Sequence, residues 1–156
     1  MSLKILIFIS FISLITDLYH RKIYNIVLII GFIALTINFI YLRNWQGIFV
    51  GLITGLAILF IFIIPFQKGG LGAGDVKLFS IIVFGLGFPE GLKVLVVIFL
   101  IGGLQALATS IYFIFKNNKK ITKDLIFSSN VKLPYAISIL VGLIIYNKFC
   151  ISFCYF

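Results

Sequence analysis

A chain of 156 residues that is 62% hydrophobic and 11% charged lies outside the soluble globular range and has the length of one domain, residues 1–156. A net charge of +9 raises nucleic acid as a partner, but the basic residues sort by loop as membrane topology requires, so no nucleic-acid role is read. Two cysteines and one histidine are too few for a four-ligand zinc site, and neither a metal nor a cofactor set is read.

A bilayer-spanning helix needs about 20 apolar residues, and six segments are candidates. The first, Leu3–Leu18, has only Lys4 in its approach and ends on Asp17, before Arg21 and Lys22. It lacks a small-x-small cleavage site and is expected to be a retained span rather than a secretory signal. The second, Ile23–Leu42, carries Asn38, expected to hydrogen-bond between helices. The third, Ile48–Phe66, lies along a stripe of Gly47, Gly51 and Gly55, a spacing that lets helices approach closely in lipid. A glycine-rich loop, Gly69 to Gly74, then leads through Asp75 into the fourth, Val76–Phe88. The fifth, Leu92–Phe115, repeats the small-residue stripe at Gly102, Ala106 and Ser110, and its Gln105 is a second interhelical hydrogen-bonding candidate. A basic stretch from Lys116 to Lys132 precedes the sixth, Leu133–Phe153, whose Cys150 and Cys154 read as buried or lipid-facing thiols. The expected fold is an all-α membrane protein, a polytopic bundle of about six transmembrane helices with no soluble domain on either side.

Six spans put the loops after spans one, three and five on one face, with Arg21, Lys22, Lys68, Lys77, Lys116, Lys119, Lys120, Lys123 and Lys132. The other face has Lys4, Arg43, Lys93 and Lys148. Positive-inside bias makes the first face cytoplasmic and leaves both termini outside.

Acids are scarce, four in the whole chain, and ionisable groups at membrane depth are costly and usually functional. Asp17 lies at the exit of span one and Asp75 at the entry of span four. Both therefore fall at the cytoplasmic end. From Asp75 to Phe88 the fourth segment reaches only about 21 Å at 1.5 Å per residue, against a hydrocarbon layer of about 30 Å. The glycine loop is accordingly expected to dip inward and hold Asp75 beside a water-filled notch, since irregular backbone at depth must be satisfied by protein or water. Two neighbouring carboxyls tend to share one proton. The ionised member can then take a proton from water while the protonated member polarises an amide carbonyl. Spacing alone leaves two other readings open. Each aspartate can cap a helix or pair with Lys22 or Lys77, or the two acids can serve a non-enzymatic proton-coupled carrier, although no internal repeat supports a carrier. A phosphate-cradling role for the glycine loop is disfavoured because Lys77 does not follow a phosphate-loop pattern.

Gly72-Ala73-Gly74-Asp75-Val76-Lys77-Leu78 resembles the Gly-x-Gly-Asp-x-Lys-Leu motif of the type IV prepilin peptidases. Asp17 followed by Arg21, Lys22, Ile23 and Asn25 resembles that family's first-aspartate motif, with Tyr24 standing where a proline is usual. Lys132-Leu133-Pro134-Tyr135-Ala136 resembles the proline-bearing segment that opens the family's last helix. The resemblance implies a multi-pass aspartic endopeptidase of the inner membrane, acting toward the cytoplasm through Asp17 and Asp75. Its substrate would be prepilin-like or preflagellin-like, a basic leader joined to a hydrophobic helix, with anionic lipid holding enzyme and leader together. Gly72, Gly74, Lys77, Asn25 and Pro134 are the site-shaping or substrate-binding residues it suggests. Bifunctional members methylate the new N-terminus and have a cytoplasmic loop with paired cysteines; this chain has no such loop, so methylation is not expected. Alanine is expected to cost less activity at Gly51, where it is still small, than at Gly74, beside the carboxyl. Glu90 and Asp124 are not expected to take part.

Overall fold

The computed structural model describes residues 2–20, 23–67, 71–117 and 135–154. These form six helices and no strand: α1 (Ser2–His20), α2 (Asn25–Tyr41), α3 (Trp45–Gln67), α4 (Ala73–Leu86), α5 (Glu90–Asn117) and α6 (Tyr135–Cys154). The all-helical expectation holds among the described residues. By length and composition, α1, α3 and α5 over Glu90–Thr109 are long and apolar enough to cross a membrane; α2, and α6 over Tyr135–Lys148, are apolar and shorter. Arg21, Lys22, Lys68, the basic loop with Asp124, and Pro134 lie outside the described residues, as do the side chains of Ser110, Cys150 and Cys154.

Local signals set the helix ends. The Asn44 side chain accepts the Gly47 N–H at 2.9 Å, capping the first turn of α3. At the C-terminal end of α4, Gly87 has φ +72° and ψ −177°, a backbone conformation that only glycine adopts without strain. Its N–H donates to the Val83 carbonyl at 2.8 Å, and the chain turns into α5. Tyr24, at the proline position of the first-aspartate motif, has φ −73°, within the range a proline ring imposes. The turn into α2 therefore keeps the same geometry without the ring.

Short α4 is the centre of the bundle. Leu78, Phe79 and Ile82 are fully buried, with Val83 and Phe84 almost so. Around them α4 packs on α1, α2, α3 and α5, while α6 closes on α1 and α5. Phe79 meets Phe62 of α3 and Phe99 of α5 with ring centroids 5.7 and 5.3 Å apart.

The glycine stripe of α3 is a close-packing surface, as its spacing predicts. A Cβ at Gly51 would stand 2.5 Å from the Phe84 carbonyl oxygen, and one at Gly55 would stand 3.2 Å from that of Ser80. Alanine is therefore not small enough to fit at Gly51 without a shift, because the obstacle is backbone and cannot rotate away. On α5, Gln105 accepts a hydrogen bond from Ser138 of α6, as expected. Asn38 departs from expectation: it is buried, and its Nδ2 has no partner among the described residues.

Candidate active site

Four helix ends meet at one end of the bundle: the exit of α1, the paired entries of α2 and α4, and the entry of α6. Asp17 stands in the last turn of α1 and Asp75 in the first turn of α4, both partly buried. The charge of Asp17 acts on Asp75, so the two carboxylates lie within electrostatic reach, as the parity of the helices predicts.

Asp75 is fixed by its own helix. Gly72 is the N-cap of α4, with no side chain to cap it, and Asp75 is the third residue of the helix. Its carboxylate accepts a hydrogen bond from the Gly72 N–H, the reaching-back half of a capping box. Glycine at 72 leaves room for this: a Cβ there would lie 2.8 Å from Asp75 Oδ2. The capping role weighed against a chemical one is therefore real for Asp75, and it orients the group rather than consuming it, since a carboxylate has further lone pairs to offer.

Gly74 does a different job. A Cβ at Gly74 would stand 2.7 Å from Ile23 Cβ, so its lack of a side chain lets the α1–α2 connection lie directly on the start of α4. Two residues beyond Ile23, Asn25 accepts a hydrogen bond from Lys77 Nζ at 2.9 Å. Lys77 thus turns toward Asn25, and the ion pair among the described residues is Lys93–Glu90, 2.8 Å, at the other end of α4. Tyr146 also donates to Glu90, which holds that acid away from the aspartates, as expected.

Tyr135, the first residue of α6, was not singled out from the sequence. The charge of Asp75 acts on its hydroxyl, which adds a phenol to the two carboxylates at this end. Its neighbour Pro134, expected here, lies outside the described residues. The sequence signal for Tyr135 is its place in the proline-bearing segment, one residue after Pro134.

An apolar groove of about 590 Å3 starts at Asn25 and Lys77 and runs between α2, α3 and α4. The amide–ammonium pair of Asn25 and Lys77 is the polar end of this channel, and Asp75 stands two residues before Lys77, within electrostatic reach of Asp17 and Tyr135. Such a set can exchange protons with water and hold a polypeptide whose polarity changes abruptly.

Neither the curated proteins nor the solved structures contain a match to the chain. A family model described as the type IV leader peptidase family matches residues 4–115, from the first turn of α1 to the last of α5. Covering well over half of the sequence and both aspartates, that match makes this chain a member of the type IV leader peptidase family.

Proposed function

We propose that this protein is a membrane aspartic endopeptidase that removes the basic leader from prepilin-like or preflagellin-like proteins. Family membership implies a peptidase, and the apolar helices suit a membrane protein. The observation that carries the finer reading is the placement of Asp17 in the last turn of α1 and Asp75 in the first turn of α4, within electrostatic reach of each other at one end of the bundle. One carboxyl, ionised, takes a proton from water as the oxygen attacks the scissile carbonyl. The other, protonated, donates to the carbonyl oxygen; as the tetrahedral intermediate collapses, the first carboxyl passes the proton it took from water to the leaving amine and the second recovers its own from the intermediate's hydroxyl. Gly72 and the α4 cap hold Asp75 for this chemistry, while Gly74, Asn25 and Lys77 shape its approach. The topology that fits the distribution of basic residues is a six-span bundle in the inner membrane, with the aspartates facing the cytoplasm and both termini outside. Anionic headgroups there attract leader and enzyme alike, at about 1 kcal/mol per basic residue.

The test is cleavage of a leader–helix peptide by the purified protein in lipid. Asp17→Asn and Asp75→Asn should each abolish it while the helical signal and membrane insertion persist, and a metal chelator should leave it unchanged. Turnover near the normal rate by either variant would remove the two-aspartate mechanism.

A further inference from the structure

The groove has an architecture that its volume alone does not convey. Helices α2 and α4 run side by side in the same direction with a constant offset. Asn25 meets Lys77 at 2.9 Å at one end, and Phe32 meets Phe84 at the other, with ring centroids 4.6 Å apart. Between these closures α2 presents Leu28 and Ile29, α4 presents Ser80 and Ile81, and α3 supplies the third wall with Leu52, Leu56 and Leu59. Each set follows the three-to-four spacing of a single helix face. Ser80 is already committed, donating to the Gly55 carbonyl at 2.8 Å, so the interior offers an occupant almost nothing polar.

Size selects the occupant. Seven residues separate the two closures on each helix, about 11 Å at 1.5 Å per residue. A volume of about 590 Å3 over that length gives a cross-section of about 55 Å2, against about 79 Å2 for a helix 10 Å across. The groove therefore takes in about two-thirds of a helix and leaves the rest facing outward. An extended hydrocarbon chain, about 4 Å across at carbon contact distance, fills less than half of it.

Charge then sets direction. Among the lining residues Lys77 is the only charged one, it is exposed, and it stands at the mouth two residues from Asp75. A basic segment cannot slide past it without placing like charges together, which is costly. An apolar helix preceded by basic residues matches this pattern of polarity: the helix enters, and the basic part halts at the mouth. The boundary between them is then held at Lys77, in the turn of α4 that begins with Asp75.

We infer that the α2–α3–α4 groove is the docking site for the apolar helix of the substrate, and that Lys77 fixes the cleavage register by barring the basic leader from it. This rests on the peptidase reading above and adds to it where the substrate lies and what sets the bond that is cut.

The probe is a synthetic peptide joining a lysine-rich leader through glycine to an apolar helix of about 20 residues, with a benzophenone side chain early in the helix. With the full-length protein in lipid nanodiscs, crosslinks should fall on α2 between residues 28 and 32 and on α3 between 52 and 59. Leu56→Trp and Ile29→Trp, both at exposed groove positions, should each raise KM about tenfold, the equivalent of 1.4 kcal/mol, with kcat little changed. Ile61→Trp, equally exposed but outside the groove, should behave as wild type. Lys77→Met should add cuts on the leader side of the normal bond. Crosslinks to α1, α5 or α6, crosslinks to phospholipid held in the groove, or equal KM changes in all three tryptophan variants would overturn the docking site. A single unshifted cut by Lys77→Met would overturn the register role. If wild-type protein cuts no leader–helix peptide at all, it is the peptidase reading that fails, and the docking proposal falls with it.

Discussion

Replacing Gly74 by alanine separates two roles for this glycine, and the structure gives the size of the effect. The added Cβ would lie 2.7 Å from Ile23 Cβ, with the Ile23 Cγ1 and Cδ1 at 3.3 and 3.4 Å. Carbon atoms rest at about 3.5–4.0 Å, so the two backbones must part by about 1 Å. A Cβ is no flexible tip that a rotamer change can remove. Overpacking of this kind costs about 1–3 kcal/mol, and the better helix propensity of alanine offsets up to about 1 kcal/mol. A net loss of about 1–2 kcal/mol lowers the folded-to-unfolded ratio by about 5- to 30-fold. The same retreat carries Asn25 away from Lys77, so turnover per folded molecule should fall as well. Ile23→Gly removes the obstructing atom, and in that background Gly74→Ala should recover most of both losses, with a coupling within about 0.5–3 kcal/mol. Unfolding by detergent titration, followed through the single tryptophan, Trp45, together with peptide cleavage, measures the cycle. If Gly74→Ala loses as much in the Ile23→Gly background as in the native one, the glycine is making room for substrate and not for the α1–α2 connection.

Gly51→Ala should destabilise by about 2–3 kcal/mol, because its Cβ would press on the Phe84 carbonyl oxygen; Gly103→Ala, with nothing within 4 Å, should be neutral or stabilise by up to about 1 kcal/mol, and equal unfolding midpoints would contradict this. Gly72→Ala, which would put a Cβ 2.8 Å from Asp75 Oδ2, should lower kcat severely with little change in the midpoint; normal kcat would show that the carboxylate does not need that space. Ser13→Ala should stabilise by about 1 kcal/mol, since the Ser13 hydroxyl is buried without a partner among the described residues, and a clear loss of stability would reveal a partner such as bound water.

Much of the site was legible because parity is a strong constraint. An acid at the exit of one helix and another at the entry of a helix three elements later fall at the same end of an up-and-down bundle, whatever the packing details. Lys77 and Asn25 were legible by resemblance, although nothing in one dimension said that they would bond to each other. Three features needed coordinates. The stripe through Gly51 shows which face is smooth, but only the placement of Phe84 shows that the approach is too close for a methyl group. Tyr135 comes within electrostatic reach of Asp75 through the docking of α6 on α1 and α5, a placement that local pattern does not encode. The groove is made by three helices, each of which reads by itself as an ordinary apolar stripe. Asn38 was misread for the reverse reason: a polar residue in an apolar run suggests a partner, and the fold left its Nδ2 without one among the described residues.

Asp75 holds the start of α4 in place through the Gly72 N–H, so the proposed catalyst is also a structural anchor of the bundle's central helix. That double duty decides which substitution can be interpreted. Asparagine keeps an oxygen that can accept the same bond and loses only the exchangeable proton. Alanine loses both, and an inactive Asp75→Ala protein would confuse a frayed first turn with missing chemistry. The same duty ties the reaction to the scaffold: whenever Asp75 gains or gives up a proton, the bond anchoring the first turn weakens or strengthens with it, because hydrogen bonds to charged acceptors are the stronger ones. A loosening confined to residues 72–75, in step with turnover, is a motion this helix can make without disturbing the buried core from Leu78 to Phe84.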